Sequence, residues 1–317
     1  MSQDHASASR SDYLVVTRAG KRSVHPQWVG RTGEPMNFDI LVAAYEEGVP
    51  AVRHEKVFHL HVPGKKVEGY ARLLRDHGGF VGSYRSVAFI DDDIATDAAT
   101  LSCCFAIGSE LGLEIWQPAL TPDSHFTYAG LLQNPQFAWR YVNFIEMMCP
   151  FFSREKLKEV AFLYEQGYES GIDLIWCNLG RRGPRSFAVL DCCPVRHTRP
   201  VGGEKEKNGF AGARRYEDDI ERILAAFGLP WLSCVPYACV RKSGTIVSSR
   251  VGMLVSALPL LADVACCSCT KERVRAVLVH WKHLLTRPAR NLEINPTSSG
   301  VGEPSLMPVS LAGRRPP

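Results

Sequence analysis

Residues 87–94, Val-Ala-Phe-Ile-Asp-Asp-Asp-Ile, constrain this chain more than any other stretch. Four apolar residues run directly into three carboxylates. A short continuous apolar run marks a strand buried on both faces, as in the middle of an α/β sheet. The acids then stand where that strand leaves the sheet. In open α/β sheets, ligands bind outside the carboxyl ends of the strands. Three like charges side by side are costly unless a cation neutralises them, which a divalent metal does well. One reading is therefore an Asp-x-Asp metal site, Asp91 and Asp93, that holds a diphosphate through the metal. The other is a solvated acidic turn, or the N-cap of a helix over residues 96–108.

The chain before this stretch alternates β-rich runs with connections. Residues 13–17 (Tyr-Leu-Val-Val-Thr), 38–45 (Phe-Asp-Ile-Leu-Val-Ala-Ala-Tyr) and 57–62 (Val-Phe-His-Leu-His-Val) read as strands, the last stopped by Pro63-Gly64. Residues 65–75 have helical spacing, with Val67, Tyr70, Ala71 and Leu74 on one face. Residues 87–90 make the fourth strand and residues 113–116 a further short one, closed by Gln117-Pro118. Such alternation predicts an α/β fold with a mostly parallel, doubly wound sheet flanked by helices.

Composition narrows the class. The chain has 317 residues, 45% hydrophobic and 22% charged, which suits a globular protein with a large core. A net charge of +4 argues against nucleic acid as the main partner. The segment 1–11 is polar, so no secretory signal is expected there. The most apolar window, residues 251–265, contains Pro259 and falls short of the roughly 18 residues that span a bilayer, so it reads as a buried helix rather than a transmembrane segment. The 11 cysteines are an odd number and point to reduced thiols and a cytoplasmic location. Cys103-Cys104, Cys192-Cys193 and Cys266-Cys267 are adjacent pairs, suited to small buried fillers. Cys266 and Cys269 have Cys-x-x-Cys spacing, but no second such pair follows to complete a zinc site.

The middle of the chain carries the second informative region. Residues 143–152 are mostly apolar with Glu146 inside them. Ser153 is placed to cap a helix over residues 154–166. Residues 170–176 (Ser-Gly-Ile-Asp-Leu-Ile-Trp) follow, then a strand at 187–191 and His197-Thr198-Arg199-Pro200.

From about residue 87 to 203 these motifs stand in an order that resembles the domain-of-unknown-function 707 family, which is related to nucleotide-diphospho-sugar transferases of the A-type fold. The residues that carry the resemblance are Phe89 to Asp93, the run 111–120 (Leu-Gly-Leu-Glu-Ile-Trp-Gln-Pro-Ala-Leu), the run 146–154 (Glu-Met-Met-Cys-Pro-Phe-Phe-Ser-Arg), Gly171 to Leu174, and Val189-Leu190-Asp191 with His197 after them. The resemblance implies an A-type glycosyltransferase-like domain over residues 12–209. A helical C-terminal extension over 210–285 and a disordered tail over 286–317 complete the expected organisation, after a flexible segment at 1–11.

The implied chemistry is transfer of a sugar from a nucleoside-diphosphate sugar to a carbohydrate or other hydroxyl acceptor, assisted by Mn²⁺ or Mg²⁺. Asp91 and Asp93 match the metal motif, and His197 falls where such folds supply a late metal ligand. A lone His after a strand is otherwise a surface or supporting residue. Asp173, after a glycine at the head of an apolar stretch, is the first choice for the base that accepts the hydroxyl proton, with Glu146 second. Each has a structural alternative, a helix cap for Asp173 and a hydrogen-bonded buried acid for Glu146. Tyr45, Lys65 (or Lys66), Asp92 and Arg199 are the expected nucleotide-binding residues.

The remaining chain says less. Residues 204–208 form a charged, Gly-flanked stretch suited to a lid. Residues 216–227 and 274–285 have helical spacing, the second with a basic face at Arg275, Lys282 and His283. Two other functions fit the same sequence: a catalytically silent nucleotide- or carbohydrate-binding protein on this fold, and a sugar-nucleotide hydrolase that uses water as acceptor.

Overall fold

The computed structural model describes residues 11–30, 36–179, 186–201, 216–267 and 270–287. The expected lid at 204–208, Cys269, residues 1–10 of the N-terminal segment and residues 288–317 of the tail lie outside them.

The chain opens with β1 (Tyr13–Ala19), β2 (Phe38–Ala44) and β3 (Val57–His61). Helix α1 (Lys66–Val81) then crosses over to β4 (Ser86–Phe89). These four strands pair in parallel in the order β3-β2-β1-β4. Six of the seven residues of β1 and of β2, and all four of β4, are buried, which is why each reads as an unbroken apolar run.

The second half of the sheet is built differently. After a two-residue strand β5 (Ile94–Ala95) and helix α2 (Ala98–Glu110) come β6 (Ile115–Leu120), β7 (Phe137–Val142) and β8 (Phe151–Ser153). Helices α3 (Arg154–Val160) and α4 (Asp173–Trp176) precede the long strand β9 (Phe187–His197). Helix α5 (Tyr216–Phe227) leads to β10 (Pro236–Arg241) and β11 (Ile246–Val247). Helices α6 (Arg250–Ala257), α7 (Leu260–Cys267) and α8 (Lys271–Thr286) close the described chain.

The sheet runs β11-β10-β7-β9-β6-β8-β4-β1-β2-β3, with β5 paired to β9. Beyond β4, only β6 and β9 pair in parallel. The pairs β4–β8, β6–β8, β7–β9, β7–β10, β10–β11 and β5–β9 are antiparallel. A mostly parallel sheet is therefore corrected to one that is parallel on one side and mixed on the other. Part of the cause is β8, three residues long, which slots antiparallel between β4 and β6, and part is β7, which pairs antiparallel with both β9 and β10. A three-residue strand is too short to leave a periodic signal.

Three smaller expectations also change. Strand β6 does not stop at Pro118 but runs through it to Leu120, with a register shift against β9 just after the proline. The helix expected over 154–166 is α3 followed by a 3-10 turn at Ala161–Glu165, capped at its start by Ser153, whose Oγ accepts from the Lys156 amide at 3.2 Å. The segment after residue 210 is not helical alone, since β10 joins the main sheet against β7.

Candidate functional site

A cavity of about 700 Å³ opens at the carboxyl ends of β1, β2, β4 and β9. Its walls bring together Asp91, Asp92, Asp93, Glu146, Asp173, His197 and Arg199, with Tyr45 among them. Of the expected residues, Lys65 alone is not on this wall, and Lys66 stands there instead.

Backbone geometry sets the acidic tip. The Ile90 amide donates to Val16 O at 3.0 Å, which ends the β1–β4 ladder, and the Asp91 amide donates to Met148 O at 2.9 Å. Asp92 O accepts from the Val24 amide at 2.8 Å, and Asp93 O from the Thr198 amide at 3.0 Å. Four separate segments therefore fix four consecutive residues, Ile90 to Asp93.

Each acid has its own partner. Lys66 Nζ lies 2.6 Å from Asp91 Oδ1 and also donates to Met147 O at 3.1 Å. The start of α1 aims it there, because the Glu169 carboxylate accepts from the Val67 and Glu68 amides at 2.8 and 3.1 Å and pins the first turn. Asp92 accepts from the Gly20 amide at 2.8 Å and from Arg199 Nη2 at 2.6 Å. A Cβ on Gly20 would fall 2.2 Å from the Tyr45 hydroxyl oxygen, so a side chain there would push the Tyr45 ring aside. Asp93 Oδ2 faces His197 Nε2 at 3.2 Å and Arg199 Nε at 3.3 Å.

His197 sits at the last position of β9, and its Nδ1 lies 2.8 Å from His125 O. A carbonyl only accepts, so Nδ1 carries a proton and donates it. In a neutral ring Nε2 would then turn a lone pair toward the Asp93 carboxylate. Two acceptors at that distance repel unless something positive lies between them. A proton on Nε2 answers this, and so does a divalent cation. Burial alone would lower the His197 pKa, but the hydrogen bond and charge of Asp93 lift it above the usual value. Asp93 is held below the ordinary carboxylate range, because His197 and Arg199 together outweigh its burial. Burial pushes Asp92 up to about 6, against the pull of the Gly20 amide and Arg199.

The donor set suits a hard divalent ion. Carboxylate oxygens favour Mg²⁺ or Mn²⁺, and an imidazole whose far nitrogen is anchored to a carbonyl has the support that metal-bound histidines need. As folded, Lys66 and Arg199 occupy Asp91 and Asp93, and among the described residues no three His, Cys, Asp or Glu side chains are gathered to hold a metal ion.

The two candidate bases differ sharply. Both oxygens of Asp173 accept backbone amides, Oδ2 from Met147 at 3.3 Å and Oδ1 from Leu174 at 3.1 Å. Burial raises its pKa to about 6. Glu146 has its amide fixed to Gln117 Oε1 at 2.9 Å, but its Oε2 is buried with no hydrogen-bond partner. Burial first, and then the neighbouring Asp173 charge, push its pKa up to about 7.

Sequence reasoning missed several wall residues: Arg22, Tyr128 and Trp231 also line the cavity, as does Arg18 at the end of the first strand. Arg18 donates to Gly64 O at 2.7 Å and lies 5.7 Å from the centre of the Tyr45 ring, so Tyr45 is already stacked on one face. Arg18 is the next-to-last residue of β1, beside the strand end where ligands bind in open α/β sheets. Nothing local marks Trp231. The cysteines also gather: Cys103 of α2 and Cys193 of β9 bring their Sγ atoms within 3.0 Å.

No protein-family model matches the sequence, and no curated protein matches it. Among solved structures, the chain is similar to S. aureus TarS 1-349 in complex with UDP, at 12% identity over 86% of this chain and 89% of that one, with a TM-score of 0.37. The same S. aureus segment in complex with UDP-GlcNAc is similar at 9% identity, over 86% of this chain and 71% of that one, with a TM-score of 0.35. A197 from STIV is similar at 11% identity, over 76% of this chain and 94% of that one, with a TM-score of 0.33.

Proposed function

We propose that the cavity binds a nucleoside-diphosphate sugar and that the protein transfers the sugar to a hydroxyl of an acceptor, in the cytoplasm. The observation that carries this reading is one cavity at the strand ends that combines Arg and Lys side chains with a buried, unpartnered carboxylate oxygen. The resemblance of residues 87–203 to the domain-of-unknown-function 707 family supports the same reading.

The residues divide the work as follows. Arg18, Arg22, Lys66 and Arg199 supply positive charge for a diphosphate. Tyr45 and Arg18, already stacked, offer a flat surface to the base. Glu146 takes the acceptor proton on Oε2, since a base needs a free lone pair and a pKa near the working pH. Asp173 holds the Met147 amide and shapes the wall beside Glu146. This reverses the order in which the two acids are chosen from sequence. Asp93 and His197 would hold a divalent cation, with Asp91 beside them. Such an ion, when bound, offsets charge on the departing diphosphate.

Thermal unfolding against a panel of nucleoside diphosphates, with and without Mn²⁺, tests the site. A ligand that binds only the folded state at about 100 times its Kd adds about 2.7 kcal/mol of stability. We expect one nucleotide to raise Tm by several degrees, and Asp91→Asn with Asp93→Asn to abolish the Mn²⁺-dependent part. A Tm that no nucleoside diphosphate moves at saturating concentration sinks the reading. Turnover of the matching sugar nucleotide then separates the classes. Release of free sugar without an acceptor means hydrolysis. Tight binding with neither transfer nor hydrolysis means a silent binding protein, which the neutralised state of Asp91 and Asp93 would also suit.

A further inference from the structure

The apolar window read as a buried helix is only partly buried. The run Arg250–Cys267 is long and apolar enough, by length and composition, to cross a membrane, yet only 28% of it is buried. It folds as α6 and α7, separated at Leu258-Pro259. Val251 and Val255 of α6 and Leu258 at its C-cap are 66%, 58% and 48% exposed. Their spacing of four and three residues puts them on one face of the helix.

Helix α8 lies against α6 and continues the surface. Arg250 at the start of α6 donates to Leu285 O at 2.7 Å near the end of α8, and Trp281 Nε1 donates to Ala257 O at 3.2 Å. The two helices therefore run side by side in opposite directions. Along α8, Arg275, Leu278, Lys282 and Leu285 are all exposed and share one face at spacings of three, four and three. Lys242, Arg250 and Arg287 are exposed nearby in sequence, and Ile246 of β11 is half-exposed. Between residues 236 and 287 there are eight Lys and Arg against two Asp and Glu, a larger excess than the +4 of the whole chain.

We propose that the α6–α8 face docks on an anionic bilayer surface. Aliphatic side chains would enter the headgroup–acyl boundary while the flanking Lys and Arg meet the phosphates, as in interfacial amphipathic helices. Arg and Lys suit this position because their stems lie along apolar surface while their heads stay polar. Two other occupants fit less well. A second copy of the chain would set one basic face against another, and like charges across an interface are repelled. A protein partner's interface core is typically depleted in Lys and built on aromatic anchors, whereas α6 presents Val and Leu alone. The proposal stands apart from the sugar-transfer reading and does not need it.

Co-sedimentation of the full chain with vesicles tests it, using phosphatidylcholine alone and phosphatidylcholine with about 30% phosphatidylserine. We expect pelleting with the anionic vesicles, weakened at least about tenfold by raising salt from about 0.1 to 0.5 M. Arg275→Ala with Lys282→Ala should weaken it by about tenfold or more, each cation near the surface adding to the attraction. Val251→Asp with Val255→Asp should reduce it to background with an unchanged melting temperature, both sites being exposed. The proposal is overturned if the chain ignores anionic vesicles, or if all variants pellet alike. It is equally overturned if sedimentation shows a dimer that Val255→Asp splits and vesicles do not bind.

Discussion

At the scale of single residues, Glu146 concentrates the consequences. Its carboxyl has an ordinary value of 4.5 and is raised to about 7 in the fold. Between those values the folded state holds a proton that the unfolded chain has released. The associated stability is full below about pH 4.5 and is lost as pH rises through about 7, a change of about 3 kcal/mol. Denaturant unfolding of Glu146→Gln should therefore show a shallower loss of stability over that range than the parent. Activity runs the other way, because a base must be ionised to work. Sugar transfer should rise with pH through about 7, and Glu146→Gln should lower turnover by roughly 10² to 10⁴ while leaving nucleotide binding intact. Undiminished turnover in Glu146→Gln would return the role to Asp173, whose oxygens each accept one backbone amide and keep a second lone pair.

At the scale of elements, α2 shows how closely the acidic tip is tied to the sheet. Gly108 lies against Trp116 of β6, and a Cβ there would fall 2.1 Å from the indole. The same indole donates to Cys104 O at 3.0 Å, locking helix to strand. Alanine is the better helix former by about 1 kcal/mol, but overpacking a rigid contact typically costs about 1–3 kcal/mol. Gly108→Ala should therefore lower stability on balance, and a rise in Tm would show that the helix can shift away. The elements legible from sequence share one property, burial of a continuous run: β1, β2 and β4 announce themselves by apolar residues in series. Strand β8 is three residues long, and β6 passes through a proline that local rules treat as a stop. Such elements are set by partners distant in sequence, which no local pattern records. Helix α6 misleads for the opposite reason, since apolar composition predicts burial, yet Val251 and Val255 are exposed beside the buried Met253 and Ala257.

At the scale of the whole molecule, the mixed side of the sheet is held by a buried ion pair. Arg140 of β7 meets Asp191 of β9 with Nε at 2.8 Å and Nη2 at 2.9 Å, and the guanidinium also reaches the carbonyls of Gly130 and Leu132. Removing one partner leaves the other charge stranded, so Asp191→Ala should cost about 3–5 kcal/mol in chemical denaturation. A loss below about 1 kcal/mol would mean that water reaches Arg140. Asp191 is one of the motif residues quoted from sequence, and its contacts are those of a brace, since it lies outside the cavity wall. The acids at 91–93, Glu146, Asp173, His197 and Arg199 were legible as types in order, whereas Arg22, Tyr128 and Trp231 reach the cavity through folding alone. Sequence separation has a further consequence in time. Asp93 and His197 are 104 residues apart, and Asp92 and Arg199 are 107 apart, whereas Lys66 precedes Asp91 by 25. At about 5–20 residues per second, a ribosome makes the acids roughly 5–20 s before the histidine and arginine that face them. Asp91 emerges with its lysine already made, while Asp92 and Asp93 stand in the nascent chain before the histidine and arginine that face them exist.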